Sequence, residues 1–273
     1  AQSQEVVEYL AQNTGPQTVT LASEQFFIAD GIGEFLKTRM LYPIGVEQLA
    51  LFKGMALALS RYLSNQSRLS RLLENLARHD SFSFYHSMRT AAYALALASY
   101  SGRPVRTWEL MLGSILHDVG NLMVDPALLN RAGSLKDEEW KIVRRHPEDG
   151  HQLIASANLP DLVNTLVLNH HERMDGQGYP HRLRLASLSR ELRILNFAEI
   201  FSSLTTPRPY QKGRKAEEAL DFMETSLATY IDADLFDPLK TLLGQAPVKE
   251  KYKAFKENFI YPYLNYYRPD IVA

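Results

Sequence analysis

His170-His171-Glu172-Arg173-Met174-Asp175-Gly176-Gln177-Gly178-Tyr179-Pro180 opens with two imidazoles and closes on a glycine- and proline-rich turn, after an apolar run at helical spacing that starts at Pro160. Adjacent residues on an α-helix point about 100° apart. Both rings therefore reach one ion only where the helix ends, and the loop from Asp175 to Pro180 marks that end. A histidine pair alone is weak evidence, because such pairs are common on surfaces; its position at a helix end is what counts.

Outward from this stretch, the chain places further histidines in separate clusters: His86, His117 beside Asp118, and His146, with the acid Glu199 on a later apolar helix. Histidine is scarce, eight in 273 residues. His117 and Asp118 close an apolar helix carrying Leu112, Ile115 and Leu116, where a carboxylate is costly unless a cation compensates it. A metal supplies that compensation. The chain has no cysteine, so any metal is held by imidazole and carboxylate, a donor set that suits zinc, iron, manganese or nickel.

The remaining pattern is mostly helical. Ser101, Gly102 and Pro104 close a segment that begins near Phe84, Ser134 with Asp137 resembles a capping box before Glu138 to Arg145, and a helix runs from about Glu191 to Leu204 before Arg208-Pro209-Tyr210. Three more helices are expected from about Lys215, Asp234 and Lys249. Residues 1–72 differ: an alternating stretch (Thr18 to Leu21, Phe26 to Ile28) and Gly31 and Gly33 precede an apolar-periodic segment from Val46 to Leu63. They read as a small α/β or helical N-terminal module of regulatory or oligomerising use, and 73–273 as the domain that carries the chemistry. Thirty basic against 31 acidic residues give a net charge of −1, so no global positive field exists to hold long nucleic acid. No apolar stretch near 18 residues occurs and the first residues lack a leader pattern, so a soluble, cytoplasmic chain without a membrane span is expected.

His117-Asp118-Val119-Gly120 resembles the HD signature of the HD phosphohydrolases, and the stretch from His170 to Pro180 is similar to the HHExxDGxGYP signature of the HD-GYP subgroup. Leu135 to Trp140, His146-Pro147-Glu148-Asp149-Gly150 and Arg208-Pro209-Tyr210 resemble further elements of that subgroup, in order, over about residues 80 to 220. The resemblance implies an HD-type helical bundle that hydrolyses cyclic di-GMP to the linear dinucleotide or GMP. It implies two divalent metals, iron first and manganese next. One would be held by His86, His117, Asp118 and Glu199, the other by His146, His170 and His171 with Asp118 bridging. A metal-bridging hydroxide would be the nucleophile. It further places Tyr179 and Gly178 at the substrate and gives Arg208 and Lys212 contacts to phosphate or guanine. A cyclic di-GMP synthase or another signalling protein is an implied partner.

Three departures stand against that pattern. Asn121 replaces the usual HDxGK lysine, removing a charge from the expected phosphate contact; such a loss costs roughly 2 to 4 kcal/mol of transition-state stabilisation. Asn121 is kept as a catalytic and substrate-binding position beside Asp118. Glu199 stands where aspartate is usual, and Phe82 where some three-metal members have a glutamate ligand, so two metals are expected. His151 reads as a packing or supporting residue and His79 and His181 as surface residues. Glu172 and Asp175 are expected to bond the ligand histidines and order the loop, Gly176 and Gly178 to permit special backbone, and Tyr252 to Tyr267 to pack on the bundle. The rival reading, motivated by Asn121, is a weak or inactive member that signals by binding cyclic di-GMP or a protein.

Overall fold

The computed structural model describes residues 58, 59, 61–63, 65–207 and 212–244. The alternating N-terminal stretch, the Arg208-Pro209-Tyr210 element, the helix expected from Lys249 and the aromatic tail lie outside these residues. Among them every regular element is helical: α1 (Ser67–His79), α2 (Ser81–Tyr100), α3 (Thr107–Leu116), α4 (Pro126–Leu129), α5 (Asp137–Val143), α6 (His146–Ile154), α7 (Asp161–Asn169), α8 (Arg190–Thr205), α9 (Ala216–Ser226) and α10 (Phe236–Leu242), with short 3-10 turns between some of them.

Helix α2 is the axis. From Ser83 to Tyr100 every residue but Tyr85 is buried, as expected for a helix that is apolar on all sides. Alanines at 91, 92, 94, 96 and 98 keep it slender, so α1, α3, α8 and α10 all pack on it. Asp80 caps its start by accepting the Ser83 N–H at 3.0 Å. Leu59, Leu63, Leu69 and Leu72 belong to the same core as Met88 and Leu95. The boundary drawn at residue 72 thus falls inside α1.

Two close approaches bring the functional ends together. A Cβ at Gly113 would stand 2.5 Å from Leu166 Cδ1, which lets α3 lie tightly on α7. A Cβ at Gly120 would stand 1.9 Å from the His146 carbonyl oxygen, so the turn at Val119–Met123 rests directly on the first turn of α6. Two expectations are corrected. The cap of α5 is not Ser134 with Asp137: Glu139 accepts the Lys136 N–H at 2.8 Å, because the first helical residue is Asp137 and Glu139 is the one that reaches back. His79 is half-buried and bonds the Val124 carbonyl at 2.8 Å, since the last turn of α1 packs against that strand-like exit from the 3-10 turn.

Candidate metal centre

The site forms where helix ends converge. His117 follows α3, His170 follows α7, and His146 starts α6 just beyond the end of α5. The last carbonyls of a helix lack intrahelical partners, and the chain uses them three times in the same way. Nδ1 of His117 meets the Ser114 carbonyl at 2.7 Å, Nδ1 of His146 the Val143 carbonyl at 2.7 Å, and Nδ1 of His170 the Val167 carbonyl at 2.8 Å. A carbonyl only accepts, so each Nδ1 carries the proton and each Nε2 presents a lone pair to the interior.

Those lone pairs converge. His146 Nε2 lies 3.0 Å from His170 Nε2 and 3.2 Å from His171 Nε2. Asp118 stands between this trio and a second group. Its Oδ1 is 3.4 Å from His146 Nε2 and 3.9 Å from His170 Nε2, while its Oδ2 is 3.4 Å from His117 Nε2. Two sets of donor atoms, each within 4.8 Å of one another, could hold a metal ion: His146, His170 and His171, and His86, His117 and Asp118. His117 Nε2 is buried without a hydrogen-bond partner. Unprotonated nitrogens about 3 Å apart repel unless a cation lies among them, and metal–nitrogen distances of about 2.0–2.1 Å suit that spacing. The donor set fits metal.

Electrostatics agree with that fit. Burial and the neighbouring rings push His170 and His171 well below the ordinary imidazole range, and burial lowers His146 against the pull of Asp118. Burial opposes ionisation of Asp118, but the histidines, His117 foremost, outweigh it and hold the carboxyl at about 2. Tyr179 is raised, by burial first and then by Glu199 and Asp118, so its hydroxyl stays protonated.

A cavity of about 230 Å³ opens on the cluster and is lined by Asp118, Asn121, His146, His171, Tyr179 and Glu199 among others. Its described lining holds three carboxylates, Asp80, Asp118 and Glu199, and no lysine or arginine. Glu199 Oε1 comes within 3.8 Å of His86 Nε2 but is absent from the two tight donor groups. Phe82 stacks on the His86 ring with centroids 6.0 Å apart.

Other expected positions separate from the cavity. Gly178 faces backbone instead: a Cβ there would stand 2.4 Å from Arg173 N and 2.6 Å from the His171 carbonyl oxygen, which gives it a packing reason. Lys212 is exposed and does not line the cavity, and Arg208 lies outside the described residues. His151 is half-buried and joins neither donor group. Glu172 bonds the loop and not the histidines, because its two oxygens are taken by the N–H groups of His181 and Leu183. Asp175 pairs with Arg173 and accepts the Gln177 N–H. The carbonyl anchors of the three histidines and the close approach at Gly120 were missed on sequence, although histidine immediately after a helical run was visible there.

A model of the HD domain matches residues 63–235. The chain belongs to the HD-domain family. Among relatives of this HD-domain chain is the cyclic di-GMP phosphodiesterase PA4108 of Pseudomonas aeruginosa, 34% identical over 180 residues that cover 64% of this chain and 43% of that protein. The 3'3'-cGAMP-specific phosphodiesterase 3 of Vibrio cholerae is 34% identical over 164 residues, 59% of this chain and 35% of the relative. The cyclic di-GMP phosphodiesterase response regulator RpfG of Xanthomonas campestris pv. campestris is 28% identical over 247 residues, 90% of this chain and 63% of the relative. The chain thus spans less than half the length of the first two and under two thirds of the third. The solved structure of Bd1817, a HDG"Y"P protein from Bdellovibrio bacteriovorus, shares the fold with a TM-score of 0.55 at 19% identity, covering 88% of this HD-domain chain and 78% of that one. No helix among the described residues is long and apolar enough to cross a membrane.

Proposed function

We propose that this HD-domain chain is a binuclear metal-dependent phosphodiesterase that hydrolyses a cyclic dinucleotide, cyclic di-GMP first, to the linear dinucleotide or GMP. The observation that carries the reading is the convergence of unprotonated Nε2 atoms on both oxygens of one carboxylate, Asp118. His86, His117, Asp118 and Glu199 would hold one cation, and His146, His170 and His171 with Asp118 the other, iron first and manganese next. Bound there, two divalent cations supply Lewis acidity to the phosphodiester and make water acidic enough to attack phosphorus. The carboxylate-lined cavity favours an anionic diester only when that positive charge is in place. The chain's own part is orientation: the carbonyl bonds fix the rings, and the protonated Tyr179 hydroxyl is available to donate to a substrate oxygen. Residues 1–72 are proposed as the regulatory or oligomerising module, with Leu59, Leu63, Leu69 and Leu72 as its contribution to the shared core.

Relatives named for both cyclic di-GMP and 3'3'-cGAMP support the substrate class. The test is elemental analysis of chain purified without chelator, joined to chromatography of both nucleotides after incubation under reducing conditions. Two metal equivalents and a linear product are expected. Binding without any product over hours would replace the enzyme by the nucleotide-binding reading that Asn121 favours, and neither binding nor cleavage would remove both.

A further inference from the structure

Most arginines near the site are already engaged with carboxylates. Arg145 reaches Asp149 at 3.2 Å, Arg131 reaches Glu139 at 2.5 Å, and Arg173 pairs with Asp175. Arg144 is different. Its guanidinium lies over the Trp140 ring, 5.5 Å from the centroid, and over the Tyr179 ring, 5.4 Å from the centroid. Its backbone N–H bonds the Trp140 carbonyl at 2.9 Å, while the guanidinium makes no hydrogen bond or ion pair to another described residue. Trp140, 43% exposed, and Tyr179 both line the cavity, and Tyr179 stacks in turn on the proposed ligand His171 with centroids 4.7 Å apart. A planar cation held by aromatic faces loses little freedom and keeps its edge donors for a partner.

A cyclic dinucleotide carries two phosphodiesters, of which a two-metal centre neutralises one. The other meets a cavity whose described lining offers three carboxylates and no lysine or arginine. We propose that Arg144, presented at the cavity rim by Trp140 and Tyr179, receives the phosphate of the cyclic dinucleotide that the metals do not hold. The assignment rests on the phosphodiesterase reading. It gives the chain a fixed cation near the mouth for that second phosphate, and a guanidinium edge suits two phosphate oxygens at once.

The test compares the metal-loaded full chain with R144Q and R144K, measuring KM and kcat for cyclic di-GMP at several salt concentrations; Kd replaces KM if the chain binds without turnover. R144Q is expected to raise KM about five- to tenfold, the effect of one charge-assisted contact at a partly open site. It should leave metal content, Tm and kcat near the wild-type values and flatten the salt dependence, and R144K should recover part of the loss. An unchanged KM in R144Q overturns the assignment. So does a raised KM with the wild-type salt dependence, which would make Arg144 a packing residue for the two rings. Failure of the wild-type chain to bind cyclic di-GMP at all would instead remove the phosphodiesterase reading together with this assignment.

Discussion

Asp118 Oδ1 stands 3.4 Å from His146 Nε2, and the second oxygen of the same carboxylate stands 3.4 Å from His117 Nε2. One side chain therefore faces both donor groups. Asp118→Ala is expected to strip both metals, taking elemental content from about two equivalents to well under one. His86→Ala, which touches one group, should leave the other occupied. Retention of full metal by the Asp118 variant would show that the two groups do not share it.

The helices were legible because their ends are punctuated: the Gly102 and Pro104 exit from α2 and the Pro160 entry to α7 fall where the sequence puts them. The clustering of His86, His117, Asp118, His146, His170 and His171 was legible only through the motif. Spacing along a chain does not say that α3 and α7 lie side by side; that depends on Gly113 accepting Leu166. Gly178 shows a related limit of sequence reading. It sits in a motif that borders the cavity, yet the backbone of Arg173 occupies the space a side chain would need.

Acid should destabilise the metal-free protein earlier than its carboxylates alone would. His146, His170 and His171 have lower pKa values folded than unfolded, where about 6.5 applies. Between the two values the unfolded chain binds more protons, so this stability is complete above about pH 6.5 and is lost as pH falls below it. Asp118 adds its share only lower, between its ordinary 3.8 and about 2. Thermal melts of chelator-treated protein should show a Tm that is nearly level from pH 7.5 to about 6.5 and falls steadily from there to 5.5, and loaded protein should release metal over the same falling range. A Tm still level at the acid end would contradict neutral, buried rings.

Gly120 tests how the centre is assembled. With a Cβ placed 1.9 Å from the His146 carbonyl oxygen and 2.6 Å from Gly150 N, alanine there forces the 3-10 turn off α6. Neither neighbour is a side chain that can swing away. Gly120→Ala is expected to cost about 3 kcal/mol or more, read by urea unfolding. It should also lower metal content, because the displaced turn carries Asp118 away from His146. A variant of wild-type stability would mean that the backbone relaxes there freely.

On the proposed phosphodiesterase reading, Asn121 stands where a lysine would bring charge to the phosphate, and its hydrogen bonding bears on what the amide offers there. The Ser83 hydroxyl has one proton, and it goes to Asp80 Oδ2 at 2.6 Å. Ser83 Oγ can then only accept, so the 3.0 Å contact is a donation from Asn121 Nδ2. The amide spends a donor on the wall of the cavity, and its Oδ1 is left buried without a partner. The amide thus brings no positive charge to a phosphate. Asn121→Lys replaces it with a cation that can stand near both Asp80 and the substrate, and kcat for cyclic di-GMP is expected to rise at least about tenfold, a conservative share of what one such contact contributes. Measured with metal content held equal, an unchanged kcat would show that the missing charge does not limit turnover, and that the chain handles its substrate through other cations.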